Sequence, residues 1–372
     1  MPTPRLGETR DDMNARRVAM KLAKRAVNGA GEVTSETFVL AGKAADEVPH
    51  VPDPAKIARV STLYGPDGDV RAQWIIEKPE DAERIANLQE WAKALAEDLP
   101  RVEPLAAPTD ANTDLMACYP VGDHHMGMLS WHRETGSSYD LEIGERLLAG
   151  AMDHLTTVTS ACDRAAVVFL GDFMHYDSFD TVTPTSRNML DSDGRFPKMV
   201  RAAVRTMRRA IETTARRHRE VLVIVEIGNH DLASSIFLME ALHNIYEDNP
   251  RITVDTSPRH FHYFSFGQNL VGVHHGHGAK VADLPMIMAH DRKELWGSTS
   301  HRYWWTGHVH TQKRFDYQGC SVESFRILAP VDAWAANKGY RAGRDMKAIV
   351  LHREHGEVAR YTVNPSMMEV GT

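Results

Sequence analysis

The sequence predicts an α/β domain with buried strands, preceded by a smaller region that mixes helix and strand. Two observations favour this fold class. From about residue 113 onward, short apolar runs alternate with longer segments of helical periodicity, the pattern of buried strands covered by helices. Before that point, residues 100–114 are rich in Pro, Ala and Asp, which indicates a linker and places a domain boundary near 108–112.

The N-terminal region, residues 1–108, contains three predicted elements. Helical spacing and a terminal Gly predict a basic helix over 13–29. Two β-type runs around Pro-Asp-Gly predict a hairpin over 58–78, and acidic residues in the first turn predict a helix over 79–99. We expect an accessory region, with the basic helix as a candidate contact to nucleic acid.

The second domain, residues 109–372, contains the alternating pattern. Amphipathic helices are predicted over 141–158 and 196–219, and a hairpin over 346–364 is expected to close a second sheet. Five apolar runs predict strands: DLMACYPV (114–121), AAVVFL (165–170), VLVIVEI (221–227), NLVGVHH (269–275) and YWWTG (303–307).

Length and composition indicate an ordinary globular protein. Its 372 residues suit about two domains of roughly 150 residues each. The formal net charge of −7 argues against strong nucleic-acid binding by bulk charge, although local basic patches remain open. Three well-separated cysteines, Cys118, Cys162 and Cys320, are expected to be buried and free. No apolar run approaches a membrane span, and no apolar segment follows the basic N-terminus, so we expect a cytoplasmic protein without a membrane partner.

Several of the 20 histidines lie directly after the predicted strands. Each of the five apolar runs is followed by His, Asp or Asn, and ligands of open α/β sheets bind at the carboxyl ends of strands. The candidate residues are Asp123 and His125 in GDHHMG, Asp172 in GDFMHYD, Asn229 and His230 in GNHD, His275 in HHGHG, and His308 and His310 in GHVH.

These residue types suit a pair of divalent metal ions. Two ions about 3.5–4 Å apart need a ligand that touches both, and the carboxylate of Asp172 is our candidate bridge. Imidazole together with carboxylate favours Mn, with Fe, Zn and Co as alternatives, over Mg or Ca. The amide of Asn229 binds without adding negative charge, so the centre stays positive enough to attract phosphate.

The GNHD segment itself has two interpretations. Gly and Asn are typical of a turn, and Asp231 would then cap the helix that follows. In the second interpretation, His230 lies beside the metals and donates a proton to the leaving oxygen, while Asp231 holds its ring.

This constellation resembles the calcineurin-like metallophosphoesterase superfamily, whose pattern is D-x-H, GD-x-x-D, GNH-[DE], an H before G, and GH-x-H. The similarity spans residues 121–310. It implies two β-sheets packed between helices and hydrolysis by a metal-bridging hydroxide. By position, it implies one metal bound by Asp123, His125, Asp172 and His310, and another bound by Asp172, Asn229, His275 and His308.

The sequence departs from the family pattern at one place. His175 stands where GD-x-x-D has its last Asp, and SbcD-like DNA repair nucleases of the superfamily also have His there. The resemblance therefore favours a nuclease acting on DNA, with His175 as a further catalytic candidate. In HHGHG, His274 and His277 remain alternatives to His275 as the ligand.

Substrate contacts are less well specified. The helix at 196–219 is rich in Arg, and Arg205, Arg208 and Arg209 are candidate contacts to a phosphate backbone. Alternatives to the nuclease are a phosphatase or phosphodiesterase for small phosphoesters, nucleotides or phosphoproteins, and a metal-dependent scaffold without turnover. The oligomeric state is open, and includes a homodimer.

Overall fold

The structure is a computed structural model. It describes residues 106–368 in full, and it describes four strands in the N-terminal region by their backbone pairing. The chain divides into two compact units, Met1–Ala86 and Asn87–Thr372. The predicted helix over 79–99 lies outside the described residues, and the assignment of 1–108 as an accessory region stays a prediction.

The first unit contains two antiparallel hairpins. The hairpin predicted over 58–78 is confirmed, whereas the helix predicted over 13–29 is wrong. Part of that segment is a strand because it pairs with a run rich in Val and Thr, and such pairing overrides a helical preference of less than about 1 kcal/mol per residue. The strands are β1 (Met20–Val27), β2 (Val33–Leu40), β3 (Ile57–Tyr64) and β4 (Val70–Glu77).

A six-stranded sheet organises the second unit. Its strands are β5 (Asn112–Val121), β6 (Cys162–Phe169), β7 (Glu220–Val225), β8 (Ile252–Val254), β14 (Met346–His352) and β15 (Gly356–Val363). Their order is β15-β14-β5-β6-β7-β8, with β5 to β8 parallel and the β14–β15 hairpin antiparallel to β5. The hairpin predicted near the C-terminus is therefore confirmed, but it extends this six-stranded sheet and does not close a second sheet.

A five-stranded sheet forms the other half. Its strands are β9 (His262–Phe266), β10 (Asn269–Val273), β11 (His301–Thr306), β12 (Lys313–Tyr317) and β13 (Cys320–Ser324). The order is β12-β13-β11-β10-β9, and β10, β11 and β13 run parallel to one another. The fourth and fifth sequence motifs follow β10 and β11, so the two sheets both contribute to the same set of motifs.

Seven α-helices complete the described part of the chain. The first two long ones match the predicted segments, because each has an apolar face at helical spacing. The helices are α1 (His132–Thr135), α2 (Leu141–Val158), α3 (Phe196–Arg217), α4 (Ser234–Tyr246), α5 (Leu284–Asp291), α6 (Lys293–Ser298) and α7 (Ala333–Asn337). None of the described helices is long and apolar enough to cross a membrane.

Alternating side chains of β5 show how the layers stack. Ala117 and Tyr119 pack with the helices on the outer face, whereas Met116 and Cys118 pack against the five-stranded sheet. On the far side of that second sheet, Trp304 packs with helix α5 and donates a hydrogen bond of 2.8 Å to the Leu284 carbonyl. Two sheets thus lie between helices, as predicted. All three cysteines are buried and free, also as predicted.

A buried histidine outside the motifs joins the helix layer to the sheet. The Nδ1 of His218 accepts a hydrogen bond of 3.1 Å from the Cys162 amide, so its Nε2 carries the proton and faces the Tyr119 hydroxyl at 2.7 Å. Protonation of Nδ1 would turn this acceptor into a donor. Burial and the nearby Arg217 lower the pKa of His218 to about 3.

This arrangement predicts a pH dependence of stability. The pKa of His218 in the fold lies below its unfolded value of about 6.5, so its contribution is present above pH 6.5 and is lost as pH falls toward 3. His218→Gln should reduce the acid-side slope of the free energy of unfolding by up to about 1.4 kcal/mol per pH unit in urea titrations. His290→Ala, which changes an exposed ring, is the control. An unchanged slope in His218→Gln would contradict this account.

Candidate metal centre

The predicted ligands converge on loops at one edge of both sheets. Three groups have ligand atoms that all lie within 4.8 Å of one another, and two of them contain a carboxylate: Asp123, His125 and His310 form one, and Asp172, His275 and His308 form the other. Each of these two groups contains three of the four ligands that the family resemblance implies for one metal. Most of the side chains are buried, but His308 is exposed, so the centre opens to solvent on one side.

Strained backbone brings these side chains together. Five described residues other than Gly have a positive φ, and four of them are Asp172 (48°), His125 (48°), His308 (66°) and His310 (53°). Such residues cost about 1–3 kcal/mol each when the side chain is not Gly, and they persist where function needs the geometry. The strain therefore falls on the residues that the motifs single out.

Two glycines leave room for the carboxylates. A Cβ atom on Gly228 would lie 2.0 Å from Asp172 Oδ1, and one on Gly307 would lie 2.2 Å from Asp123 Oδ1. Any side chain at either position would displace a predicted ligand. Gly is therefore required in GNHD and GHVH for close approach, and not only for a turn.

The orientation of His275 shows what the centre is built to hold. Its Nδ1 lies 2.7 Å from the Leu170 carbonyl oxygen, which only accepts, so Nδ1 carries a proton. Its Nε2 then faces Asp172 Oδ2 at 3.2 Å and Asn229 Oδ1 at 3.1 Å. In the neutral imidazole all three atoms offer lone pairs to one another. Such an arrangement needs positive charge between the three atoms, supplied either by a proton on Nε2 or by a bound cation, and an N,O,O set suits a transition-metal ion.

The first group also brings imidazole nitrogens close to a carboxylate. His310 Nε2 lies 2.9 Å from Asp123 Oδ2 and 3.2 Å from His125 Nε2. Asp123 is fixed in turn, because its two oxygens accept hydrogen bonds of 3.1 and 2.9 Å from the His308 amide. The donor atoms of both groups therefore fit divalent cations.

Electrostatics agree with this conclusion. Burial lowers the pKa of His275, but the carboxylates of Asp172 and Asp123 outweigh it and raise the value to about 10. Burial likewise lowers the pKa of His310, and Asp123 raises it above its ordinary value. Burial raises the pKa of Asp172, yet His275 brings it well below the usual range. Positive charge is thus strongly favoured at both positions.

His230 is positioned by a backbone group. Its Nδ1 lies 2.8 Å from the His175 carbonyl oxygen, which only accepts, so Nδ1 carries a proton. Its Nε2 takes no part in this contact. The role predicted for Asp231 as the group that holds this ring is therefore wrong. The carboxylate of Asp231 accepts backbone hydrogen bonds of 3.1 Å each from Asp172, Met174 and Gly228. The ring of His230 is therefore held by the backbone carbonyl of His175, where the sequence suggested the side chain of Asp231.

His175 belongs to a third group, with His125 and His230. Its Nδ1 lies 3.3 Å from His125 Nδ1, and its buried Nε2 has no hydrogen-bond partner among the residues that the structure describes. Burial and His230 lower its pKa to about 3, so the ring is neutral. The ring of His175 also stacks on His230, with centroids 5.7 Å apart. The residue that departs from the family pattern thus contacts both a predicted ligand and the predicted proton donor.

The sequence did not single out Asp177. Its carboxylate accepts hydrogen bonds from the amides of Ala233 and Ser234 at 2.9 and 2.7 Å, and so it caps helix α4 from the neighbouring loop. This bond ties the loop after His175 to the segment after His230. The only signal in the sequence is its place two residues after His175, in the motif GDFMHYD.

The three histidines of HHGHG, which the sequence left as alternative ligands, lie in different surroundings. His275 lies in the metal group, whereas His274 stacks on Phe261 with centroids 4.7 Å apart and accepts a hydrogen bond from the Gly276 amide. His277 lies beside His275, with ring centroids 5.2 Å apart, outside the groups of converging ligand atoms. His275 is therefore the ligand candidate that the structure favours.

The three arginines of α3 already have acidic partners. Arg205 pairs with Glu145, Arg208 Nε lies 2.7 Å from Glu212, and Arg209 Nη2 lies 3.3 Å from Asp153. A contact with a phosphate backbone would have to displace these carboxylates.

Comparison with known proteins gives distant likenesses. No family model matches the chain, and no curated protein matches it. Similar solved structures include an archaeal phosphodiesterase (13% identity, TM-score 0.34), the Escherichia coli phosphoesterase YfcE (13%, 0.29) and zinc-bound Vps29 from Entamoeba histolytica (11%, 0.28). Each covers 67% of this chain and 98–100% of its own. At such identities and TM-scores the likeness does not identify a substrate.

The Gly228 contact gives a prediction that removes no ligand. Gly228→Ala should lower metal content and affinity for Mn²⁺, because the new Cβ displaces Asp172. Gly297→Ala is the matched control, because a Cβ there would meet nothing within 4 Å. Metal content after gel filtration and calorimetric titration with Mn²⁺ would measure both variants. Equal metal binding by the two would show that Asp172 is not a ligand.

Proposed function

We propose that the protein is a two-metal phosphodiesterase. The observation that supports this most directly is the pair of ligand groups, each of which brings imidazole nitrogens close to the oxygens of a buried carboxylate. Such a pair of sites is suited to hold and polarise a phosphoryl group and to supply an activated water. The first ion would be held by Asp123, His125 and His310, and the second by Asp172, Asn229, His275 and His308, with Asp172 bridging to the first. Manganese is the proposed metal.

The residues of the chain supply the remaining functions. His230 would hold a proton at Nε2 for the leaving oxygen, with its ring oriented by the His175 carbonyl. His175 would pack against His125 and His230 and keep both rings in place. The amide of His230 donates a hydrogen bond of 2.7 Å to Asp172 Oδ1, which links the proton donor to the proposed bridge.

For the substrate we propose nucleic acid, with DNA favoured. The support is His175 in the place where SbcD-like nucleases have His, together with its contacts to His125 and His230. The α3 arginines are a weaker part of this proposal, because each must leave a carboxylate before it binds phosphate. The alternative is a small phosphoester. Assays with Mn²⁺ on single-stranded DNA, duplex DNA and bis-p-nitrophenyl phosphate separate these substrates.

Asp172→Asn tests the metal chemistry. The substitution keeps the shape of the side chain but removes its charge, so turnover of bis-p-nitrophenyl phosphate should fall at least about 10²-fold, and most bound metal should be lost. Asp114→Asn, which changes an exposed carboxylate, should leave both quantities unchanged. Two retained metal ions with wild-type turnover in Asp172→Asn would refute the assignment.

His230→Ala separates proton donation from metal binding. We expect both ions to remain while turnover falls about 10²–10⁴-fold, the usual contribution of general acid–base catalysis. His290→Ala, which changes a ring whose side chain is 79% exposed, should have full activity. Loss of one ion in His230→Ala would make His230 a ligand and not a proton donor.

A further inference from the structure

Three large aromatic side chains are exposed on two neighbouring segments, the first around Trp131 (128–136) and the second around Trp334 and Tyr340 (326–341). Trp131 and Trp334 are each 59% exposed, and Tyr340 is 56% exposed. Trp334 and Tyr340 face each other with ring centroids 5.9 Å apart. We call these three residues the aromatic surface. None of them has a role in the chemistry described above, and exposed Trp and Tyr are typical of binding surfaces.

The two segments share a fixed base. The hydroxyl of Ser130 donates a hydrogen bond of 3.0 Å to the Val331 carbonyl, directly beside Trp131. Beneath them, Met128 packs in one small core with Ile327 and Ala329. Asp332 caps helix α7, which contains Trp334, because its carboxylate accepts a hydrogen bond of 2.7 Å from the Ala335 amide. The aromatic surface is therefore built on ordered structure.

Both segments start at the metal centre. Trp131 is six residues after His125, and six residues span at most about 20 Å. The other segment begins after β13, where the Arg326 carbonyl approaches Gly122 so closely that a Cβ there would be 2.7 Å away. Gly122 precedes Asp123. Both segments therefore begin beside residues that would hold the metals.

Positive charge accompanies the rings. The guanidinium of Arg133 lies 5.6 Å from the centre of the Trp131 ring. Arg341 donates a hydrogen bond of 2.7 Å to the carbonyl of Tyr340, and Lys338 is exposed between the two rings in sequence. Glu134 is the exposed acidic residue in the first segment. Exposed basic groups thus outnumber exposed acids, which favours a polyanionic partner.

We propose that the aromatic surface binds the unpaired bases of a single-stranded nucleic acid next to the metal centre. This inference rests on the proposed function and adds a substrate class to it. Aromatic rings combined with nearby cations bind single strands with little sequence preference, because every base offers a face for stacking. Paired bases in a duplex do not expose those faces. The protein should therefore prefer single strands or strand ends to an intact duplex.

Binding can be measured separately from turnover. Fluorescence anisotropy with a labelled dT 12-mer and Mn²⁺, read before turnover and with the length of the strand checked afterwards, reports the affinity of the metal-loaded protein. Trp131→Ala and Trp334→Ala should each raise the Kd about 10-fold, and Trp131→Phe, which keeps a ring, should restore most of the affinity. A 12-mer of abasic sites has the same phosphates without bases, and it should bind the wild type and the Ala variants equally weakly.

Two controls isolate the surface. Phe315→Ala changes an exposed aromatic residue on β12 and should not change the Kd. Turnover of bis-p-nitrophenyl phosphate should be unchanged in every variant, because the metal ligands are intact. If the wild type hydrolyses this diester but does not bind the 12-mer, the inference fails while the proposed function stands.

Other outcomes would also overturn the inference. Equal affinity of the wild type for the dT and abasic 12-mers would show that only phosphates are bound. Unchanged affinity in Trp131→Ala with a lowered Tm would show that another part of this chain covers the surface. Absence of turnover on all substrates, with 12-mer binding that depends on Trp131, would instead refute the proposed function and leave the binding surface.

Discussion

The carboxylate of Asp231 is fully buried and accepts backbone hydrogen bonds from Gly228, Asp172 and Met174. This one side chain fastens the loop after β6 to the loop after β7, and so sets where Asp172 and Asn229 lie. Burial and the nearby charge of Asp172 raise the pKa of Asp231 to about 7, which indicates how unfavourable a second negative charge is there. Because a buried, unpaired carboxylate costs several kcal/mol, the amides and nearby positive charge must compensate.

Asp123 has the corresponding role between the two sheets. It follows β5 in the six-stranded sheet and accepts hydrogen bonds from the amide of His308, which follows β11 in the five-stranded sheet. Strained backbone and ligand-directed lone pairs both occur where these loops meet. This cluster of strained backbone and facing lone pairs would be unfavourable without cations. The free energy of folding of the two sheets offsets that cost. That balance is the physical basis for proposing a metal centre, and it depends on no likeness to another protein.

Much of the domain was predictable because its signals are local. The helix predicted over 141–158 coincides with Leu141–Val158, and the five apolar runs all form strands, since periodicity and strand-end polar residues are properties of short segments. What was missed depends on distant or backbone partners. The carbonyl that orients His230 belongs to His175, and the carboxylate that pairs with Arg205 belongs to Glu145. Residue types in a sequence do not reveal such partners, nor which sheet a terminal hairpin joins.

The most direct test of the central claim is the position of the metal ions. Crystals of the full chain grown with Mn²⁺ should show two anomalous difference peaks about 3.5–4 Å apart, with Asp172 between them and His275 Nε2 bound to one. A single peak, or two peaks bound by other residues while His275 Nε2 still faces Asp172 and Asn229 without an ion, would contradict the account.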